Sequence, residues 1–279
     1  MIPKWLLIGI SATAVLISIW IVAQRRGKSY HRARIATSIN EYSVVTYNIQ
    51  RLPWNKKQLD PLVHILSDHS IIFLQEYFYR WTKLGIEDYF PEHYICKGTL
   101  KGLRMINSGL VILSKFPILH SEFIAFDAYN PLSFDRFSEK GFLSALVEID
   151  NQNIRLITTH LQSSTHEEYD LYGLSQLEQL FNYLDHLPVP YLIGGDFNID
   201  IEEIRKRYPE RTFYCPTDPS IYINFHSGDT QSTPRKGYQG RTLDYFISPT
   251  ISCTSPRVIT SQFSDHNPVQ TMISLSAKE

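Results

Sequence analysis

The sequence predicts an α/β domain in which mixed β-sheets are covered by outer helices, and three observations carry that prediction. First, short β-rich runs alternate with stretches of helical spacing, and the runs follow one another directly as often as they follow a helix, unlike a purely parallel sheet. Second, the chain of 279 residues is 43% hydrophobic and 13% aromatic, enough to bury a large core in one domain. Third, five polar motifs each close an apolar strand-like run: Thr46-Tyr47-Asn48, Leu74-Gln75-Glu76, Thr158-Thr159-His160-Leu161, Gly194-Gly195-Asp196-Phe197-Asn198 and Ser264-Asp265-His266. Strand ends converge when strands share a sheet, so these tips are expected to meet.

Residues 1–24 are expected to be a membrane anchor. Trp5 to Ala23 contain no charge, and ~19 residues at 1.5 Å each just span a ~30 Å hydrocarbon layer. A cleaved secretory signal is the rival reading, but the run is longer than the usual apolar region and no clean cleavage site follows. Trp5 and Trp20 near its two ends suit interfacial anchors better than a buried core helix. Residues 25–41 form a basic linker. Five basic side chains follow the apolar run (Arg25, Arg26, Lys28, Arg32, Arg34) against Lys4 before it, which is expected to place the domain that follows on the cytoplasmic side of a single-pass protein.

Residues 42–279 form the catalytic domain. Tyr42 to Asn48 is a strand; Leu59, Leu62, Val63 and Leu66 give 55–68 a helical spacing; Ile71 to Gln75 is again a strand. Gly109 to Leu113, Phe142 to Ile149 and Ile154 to Thr159 are strands, the last two joined by a hairpin-like turn at Asp150-Asn151-Gln152-Asn153. Between 166 and 187, Leu171, Leu174, Leu177, Leu180, Phe181 and Leu184 form one apolar stripe of a helix that covers a sheet. Tyr191 to Gly194, Thr242 to Ile247 and Pro268 to Leu275 complete the strands. The letters show no internal repeat. Cys96, Cys215 and Cys253 lack metal-site spacing and read as buried, reduced thiols.

The motifs point to phosphodiester hydrolysis, which needs an attacking water, a group to deprotonate it and positive charge against the oxygens that become anionic. Glu76 and Asn48 offer oxygens at equivalent strand ends, as a magnesium ion requires. Asp196 and Asn198, two apart in an extended segment, would share a face and together hold metal, water and phosphate; a turn is the alternative use of Gly-Gly-Asp-Phe-Asn, but its two glycines allow close backbone approach and favour the functional reading. His266 is the candidate general base, oriented by Asp244 from another strand rather than by adjacent Asp265. His160 would donate to a non-bridging phosphate oxygen. Tyr77, Phe78, Tyr79 and Trp81, following Glu76, would face either a substrate interface or the core.

The ordered set Asn48, Glu76, His160, Asp196 with Asn198, Asp244 and Asp265-His266 resembles the endonuclease/exonuclease/phosphatase superfamily, the deoxyribonuclease I-like fold, over residues 42 to about 275. That resemblance implies a four-layer α/β/β/α sandwich of two mixed sheets and a magnesium-dependent site at one rim, manganese being the alternative ion. It implies Glu76 as principal metal ligand, Asn48 and Asp265 as further ligands and His266 as base. Asp135-Arg136-Phe137-Ser138-Glu139-Lys140-Gly141-Phe142 is similar to the Asp-x-x-x-x-Lys-Gly element of neutral sphingomyelinases, and Thr159-His160-Leu161-Gln162-Ser163 to their Thr-His-x-Gln-Ala. Asn107 to Ser114 with Pro117 also fits. By the same resemblance Asp135 and Lys140 act near the substrate; a surface ion pair is their bland alternative. The exposed hydrophobic hairpin of secreted bacterial sphingomyelinases is not identifiable in the letters.

Charge weighs on the substrate. Beyond residue 40 the chain carries 21 basic against 28 acidic side chains, net −7, a poor non-specific binder of phosphate backbones. The expected partner is therefore a phospholipid bilayer and its head groups, with sphingomyelin cleaved to phosphocholine. Nucleic acid is the alternative substrate, an inactive tethered binding module the third reading, and nothing calls for an obligate protein partner.

Overall fold

The structure is a computed structural model and describes residues 41–52, 59–78, 85–99, 106–163, 170–223, 230–231 and 239–275. The expected anchor at 1–24 and nearly all of the linker lie outside these residues. Among the described residues no helix is long and apolar enough to cross a membrane.

The strands are β1 (Glu41–Arg51), β2 (Ile71–Tyr77), β3 (Tyr94–Lys97), β4 (Val111–Ser114), β5 (Ile118–Ala125), β6 (Gly141–Ile149), β7 (Gln152–His160), β8 (Tyr191–Asp196), β9 (Phe213–Tyr214), β10 (Ile221–Ile223), β11 (Thr230–Gln231), β12 (Gln239–Arg241), β13 (Asp244–Ile247), β14 (Ser252–Cys253), β15 (Arg257–Val258) and β16 (Val269–Ser274). The α-helices are α1 (Asp60–Leu66), α2 (Ile86–Tyr89), α3 (Asp170–Asp185) and α4 (Ile201–Arg207), and a 3₁₀ turn runs Phe134–Phe137.

Two large sheets result, in the orders β14-β16-β1-β2-β4-β3, with β15 also on β16, and β5-β6-β7-β8-β13-β9. Each is mixed, and each holds one parallel pair, β1 with β2 and β7 with β8. The chain between the first pair contains α1 and that between the second contains α3, so two β-α-β units, one per sheet, lie at the centre of the molecule. Strands β10, β11 and β12 make a separate small sheet.

Side-chain alternation builds the layers. On β1, Tyr42 and Val44 enter a core shared with Leu143, Leu156 and Phe246 of the other sheet, while Val45, Tyr47 and Ile49 pack with Leu62 and Leu66 of α1. On β7 and β8, Leu156 and Leu192 face inward, and Ile157 and Ile193 meet Leu177, Leu180 and Phe181 of α3. Helix, sheet, sheet and helix thus stack in four layers around three apolar clusters, each fully buried aliphatic side chain contributing about 1.5–3 kcal/mol.

Three expectations need correction. Leu171 does not join the α3 stripe but is 69% exposed: it lies in the first turn of the helix, ahead of Leu174, where burial of the stripe begins. The hairpin turn is tighter than expected: β7 begins at Gln152, and Asp150 and Asn151, at φ of 50° and 60°, make the two-residue connection. Cys215 is only half-buried, its Sγ accepting from Arg205 Nη2 at 3.1 Å, whereas Cys96 and Cys253 are buried as expected; all three are free.

Under β2 lies a pair of buried histidines. His93 Nε2 donates to the His69 carbonyl at 2.9 Å, and His69 Nε2 lies 3.1 Å from Gln270 Oε1. Burial pushes the His93 imidazole down to about 4, with His69 lowered for the same reason. The unfolded chain therefore takes up protons first, so stability present above pH ~6.5 is lost as pH falls toward 4. His93 alone is expected to remove about 2 kcal/mol between pH 7 and pH 5. Chemical denaturation of the parent and of His93→Gln at the two pH values checks this: equal pH dependence in both would refute it.

Candidate active site

The polar tips gather because strand periodicity puts them there. Asn48 lies two and four residues beyond Thr46 and Val44, on the face of β1 that meets the other sheet; His160 continues Leu156 and Thr158 on β7, and Asp196 continues Leu192 and Gly194 on β8. Each is the residue where the inter-sheet face runs out at the rim. Ladder register then sets neighbours: His160 pairs with Asp196 across the parallel ladder, and Asp244 with Asp196 across the antiparallel one. Gly194 permits the close approach of the sheets, since a Cβ there would sit 2.5 Å from Phe73 Cδ2 of the facing sheet and 2.9 Å from Phe246 Cε1.

Glu76 reaches the same rim by breaking the alternation. In strict alternation it would follow Ile72 and Leu74 onto the helix-covered face, but its φ is 55°, and the left-handed residue turns its side chain to the inter-sheet side. The turn is held from behind: Tyr77 N donates to the Gly109 carbonyl at 2.8 Å, and Gly109, at φ 68°, has the Glu76 Cα 3.2 Å from where its Cβ would be.

Asn48 sits at the centre, buried. Its Nδ2 donates to Glu76 Oε1 at 2.9 Å and to Asp196 Oδ2 at 3.0 Å, while its Oδ1 accepts from Gln50 N at 3.1 Å. It therefore presents nitrogen, not the expected oxygen, to the carboxylates; an ion could use its oxygen only once the amide turned over. His160 Nε2 lies 3.5 Å from Asp196 Oδ2 and 4.0 Å from Glu76 Oε1. Burial first, then the nearby Lys140 cation, drives His160 down to about 3, so it is a neutral imidazole. Its Nδ1 is buried without a hydrogen-bond partner.

His266 stands opposite. Its Nδ1 is 2.7 Å from Asp244 Oδ2 and its Nε2 is 3.6 Å from Asp196 Oδ2. Burial works to lower its pKa, but Asp244, Asp196 and Asp265 together outweigh burial and hold it well above the ordinary value. Asp265 itself accepts from Ser264 Oγ at 3.1 Å and is not the carboxylate on the ring. Asp244 is fixed from below by Ser220, a buried residue absent from the sequence reading, whose Oγ accepts from the backbone N–H of Leu243 and Asp244 at 3.1 and 3.2 Å. Because Ile221 is bridged to His266 and Asn267 N donates to the Ser220 carbonyl at 2.9 Å, one short segment fixes both members of the pair.

Asn198 is not on an extended face with Asp196. The strand ends at Asp196, Asn198 takes φ 52°, its N–H donates to Asp196 Oδ1 at 2.9 Å and its Nδ2 to the Leu161 carbonyl at 3.0 Å, so the segment is a turn that holds Asp196. Asp135 and Lys140 form a pair at 3.5 Å, and Lys140 Nζ also donates to the Leu161 carbonyl at 3.2 Å. Lys140 is buried and its charge is felt by both Glu76 and His160, so the pair is not a surface ornament. Of the aromatics after Glu76, Tyr77 and Phe78 are buried in the core; Tyr79 and Trp81 lie outside the described residues.

Chemically the rim is a nest of carboxylates short of positive charge: burial pushes the Glu76 carboxyl up, with the Asn48 hydrogen bond pulling partly back. A divalent ion fits such a donor set: Glu76 and Asp196 are joined through the Asn48 amide, and the charge of Asp265 is felt by Glu76. Asp196, Asp244 and His266 also lie close enough to share an ion, but the 2.7 Å contact between Asp244 and His266 already uses that imidazole nitrogen.

A family model described as the Endonuclease/Exonuclease/phosphatase family matches residues 45–266, a span that contains every one of these tips. The chain belongs to that family. This endonuclease/exonuclease/phosphatase domain carries the parts of a metal-dependent phosphoric diester hydrolase. A curated relative, a sphingomyelinase of Dictyostelium discoideum, is 30% identical over an alignment of 125 positions that covers 39% of this chain and 27% of the relative. Among solved structures, a beta toxin of Staphylococcus aureus with bound magnesium ions aligns with a TM-score of 0.61 at 18% identity, covering 85% of this chain and all 100% of its own. TDP2 of D. rerio, complexed with a single-strand DNA product, aligns with a TM-score of 0.62 at 15% identity, covering 84% of this chain and 99% of its own. At such identities the two structures speak to the fold of this family member.

Proposed function

We propose that this protein is a membrane-anchored, magnesium-dependent phosphodiesterase that hydrolyses a phospholipid such as sphingomyelin and releases phosphocholine, with its catalytic domain on the cytoplasmic side. The observation that carries the hydrolytic part is the juxtaposition of Glu76, Asn48 and Asp196 with the His266–Asp244 pair. The lipid part rests on the sphingomyelinase relative, the acidic body and the uncharged run at 5–23. Magnesium is supported by the beta toxin and by the oxygen-rich donor set.

In this reading Glu76 and Asp265, with Asn48 beside them, would hold a magnesium ion, which when bound would supply the positive charge that a phosphoryl group in transition requires. The chain does the rest. Once a bound cation offset the charge of Asp196 and Asp265, two of the carboxylates that raise its pKa, His266 would be free of its proton, and its Nε2 would take one from the attacking water while Asp244 holds the ring by Nδ1 and stabilises the imidazolium that forms. Asp196, 3.6 Å from His266 Nε2, orients that water. His160, neutral, presents Nε2 as donor to a non-bridging phosphate oxygen, and the Lys140 ammonium adds charge behind it. Asn198 holds the Asp196 turn in place.

Nucleic acid is the second reading, favoured by the likeness to TDP2 in complex with DNA. One panel decides between them: the full chain, with and without magnesium, is given sphingomyelin vesicles and supercoiled plasmid. Magnesium-dependent phosphocholine release without nicking is the expected result. Nicking without phosphocholine release would transfer the assignment to nucleic acid, and activity undiminished by chelator would remove the metal.

A further inference from the structure

Four large apolar side chains are strongly exposed among the described residues: Leu119 at 53%, Tyr129 at 41%, Leu132 at 77% and Leu171 at 69%. Exposed leucines scattered singly need no explanation, but three of these four converge on one residue beside the active site. Gln162 follows His160 by two positions and is buried. Its Oε1 accepts from Asn130 N at 3.1 Å, which fastens the loop bearing Tyr129 and Leu132; its Nε2 donates to Asp135 Oδ2 at 3.1 Å. Its carbonyl lies 3.5 Å from the Cβ position of Gly173, two residues along α3 from Leu171. Gln176 closes the ring, its Oε1 accepting from Gln162 N at 2.8 Å and its Nε2 donating to the Ala128 carbonyl at 2.7 Å.

Loop 128–132 and the first turn of α3 are thus pinned by buried amides to the segment that leads from His160. They present Tyr129, Pro131, Leu132 and Leu171 outward with the exposed Arg136, whose Nη1 donates to the Pro131 carbonyl at 2.9 Å. Apolar tips beside a guanidinium, on a rigid support at the mouth of a phosphodiesterase site, suit the boundary between phospholipid head groups and acyl chains. We propose that this surface, centred on Leu132 and Leu171, docks the catalytic domain flat on a phospholipid bilayer so that the rim of Asn48, Glu76 and His266 faces the head groups. The inference rests on the lipid reading above. It adds the face by which the domain meets the membrane, independently of any tether at 5–23.

The test uses the full chain in phosphatidylcholine–sphingomyelin vesicles and the double variant Leu132→Asp/Leu171→Asp. Phosphocholine release is expected to fall about tenfold or more, because two apolar contacts become repelled charges, while hydrolysis of the water-soluble diester bis(p-nitrophenyl) phosphate stays within about twofold. Leu119→Asp serves as control. Leu119 lies toward the end of β5 remote from the site, since Ala125 at the other end pairs with Gly141, and both activities are expected to persist. Equal loss on both substrates, or no loss on vesicles, would overturn the proposal. Hydrogen exchange reads docking without turnover: in the parent on vesicles, peptides covering 128–134 and 170–174 are protected relative to the double variant on the same vesicles. Should the parent release no phosphocholine, the lipid reading fails on that ground, and exchange still decides docking, since absent protection refutes it alone.

Discussion

Replacing His266 with alanine is expected to lower kcat at neutral pH about 10³-fold and to leave KM within a few-fold. The imidazole is placed to meet a water in the pocket and not to hold a head group: Nε2 points toward Asp196, and Nδ1 is engaged at 2.7 Å by a carboxylate that is fully buried. Such a loss corresponds to about 4 kcal/mol of transition-state stabilisation, the ordinary size for a general base and its orienting partner. Asp244→Asn is expected to give a loss of the same kind with His266 still present, because the amide would offer its oxygen or its NH₂ where the ring needs a fixed anion. Steady-state kinetics on the substrate that emerges from the panel above would check both. Parental turnover by His266→Ala would eliminate it as base.

Glu76→Gln is expected to reduce kcat/KM by about 10²–10³-fold and to raise the magnesium concentration for half-maximal activity at least tenfold. The carboxylate is the natural anchor of the ion, and an amide keeps shape but gives up the charge. The same change is expected to stabilise the metal-free fold, since the parent carries a buried carboxyl whose ionised form is disfavoured by burial. Loss of activity with a gain in metal-free stability is a signature that simple misfolding cannot produce. An unchanged magnesium midpoint would count against Glu76 as ligand.

The central strands were legible in the letters because their periodicity is clean: β1, β2, β6, β7 and β16 fall within a few residues of where apolar alternation puts them. The marginal elements were not. Strand β5 is an edge with a register shift between Ile118 and His120, so its alternation is broken; α4 is only seven residues long; β9, β14 and β15 are two-residue pairings that no local pattern encodes. At the site, the identity of the tips was readable, since each terminates an apolar run. Their exact presentation was not. The left-handed turn at Glu76 depends on Gly109, thirty-three residues away, and the orientation of the Asn48 amide depends on the backbone of Gln50. Ser220 left no signal: a serine in a polar stretch looks like any loop residue until two amide hydrogens are seen to converge on its hydroxyl.

The contact that Phe73 makes where Gly194 has no side chain has a wider consequence. Half of the catalytic tips hang from one slab of the molecule and half from the other, and the thickness of the seam between the slabs acts as a caliper for the gap between them. A methyl group inserted at that position would not touch a single reacting atom. It would open the jaws by a fraction of an ångström, and chemistry that depends on such fractions would register the change before the fold did.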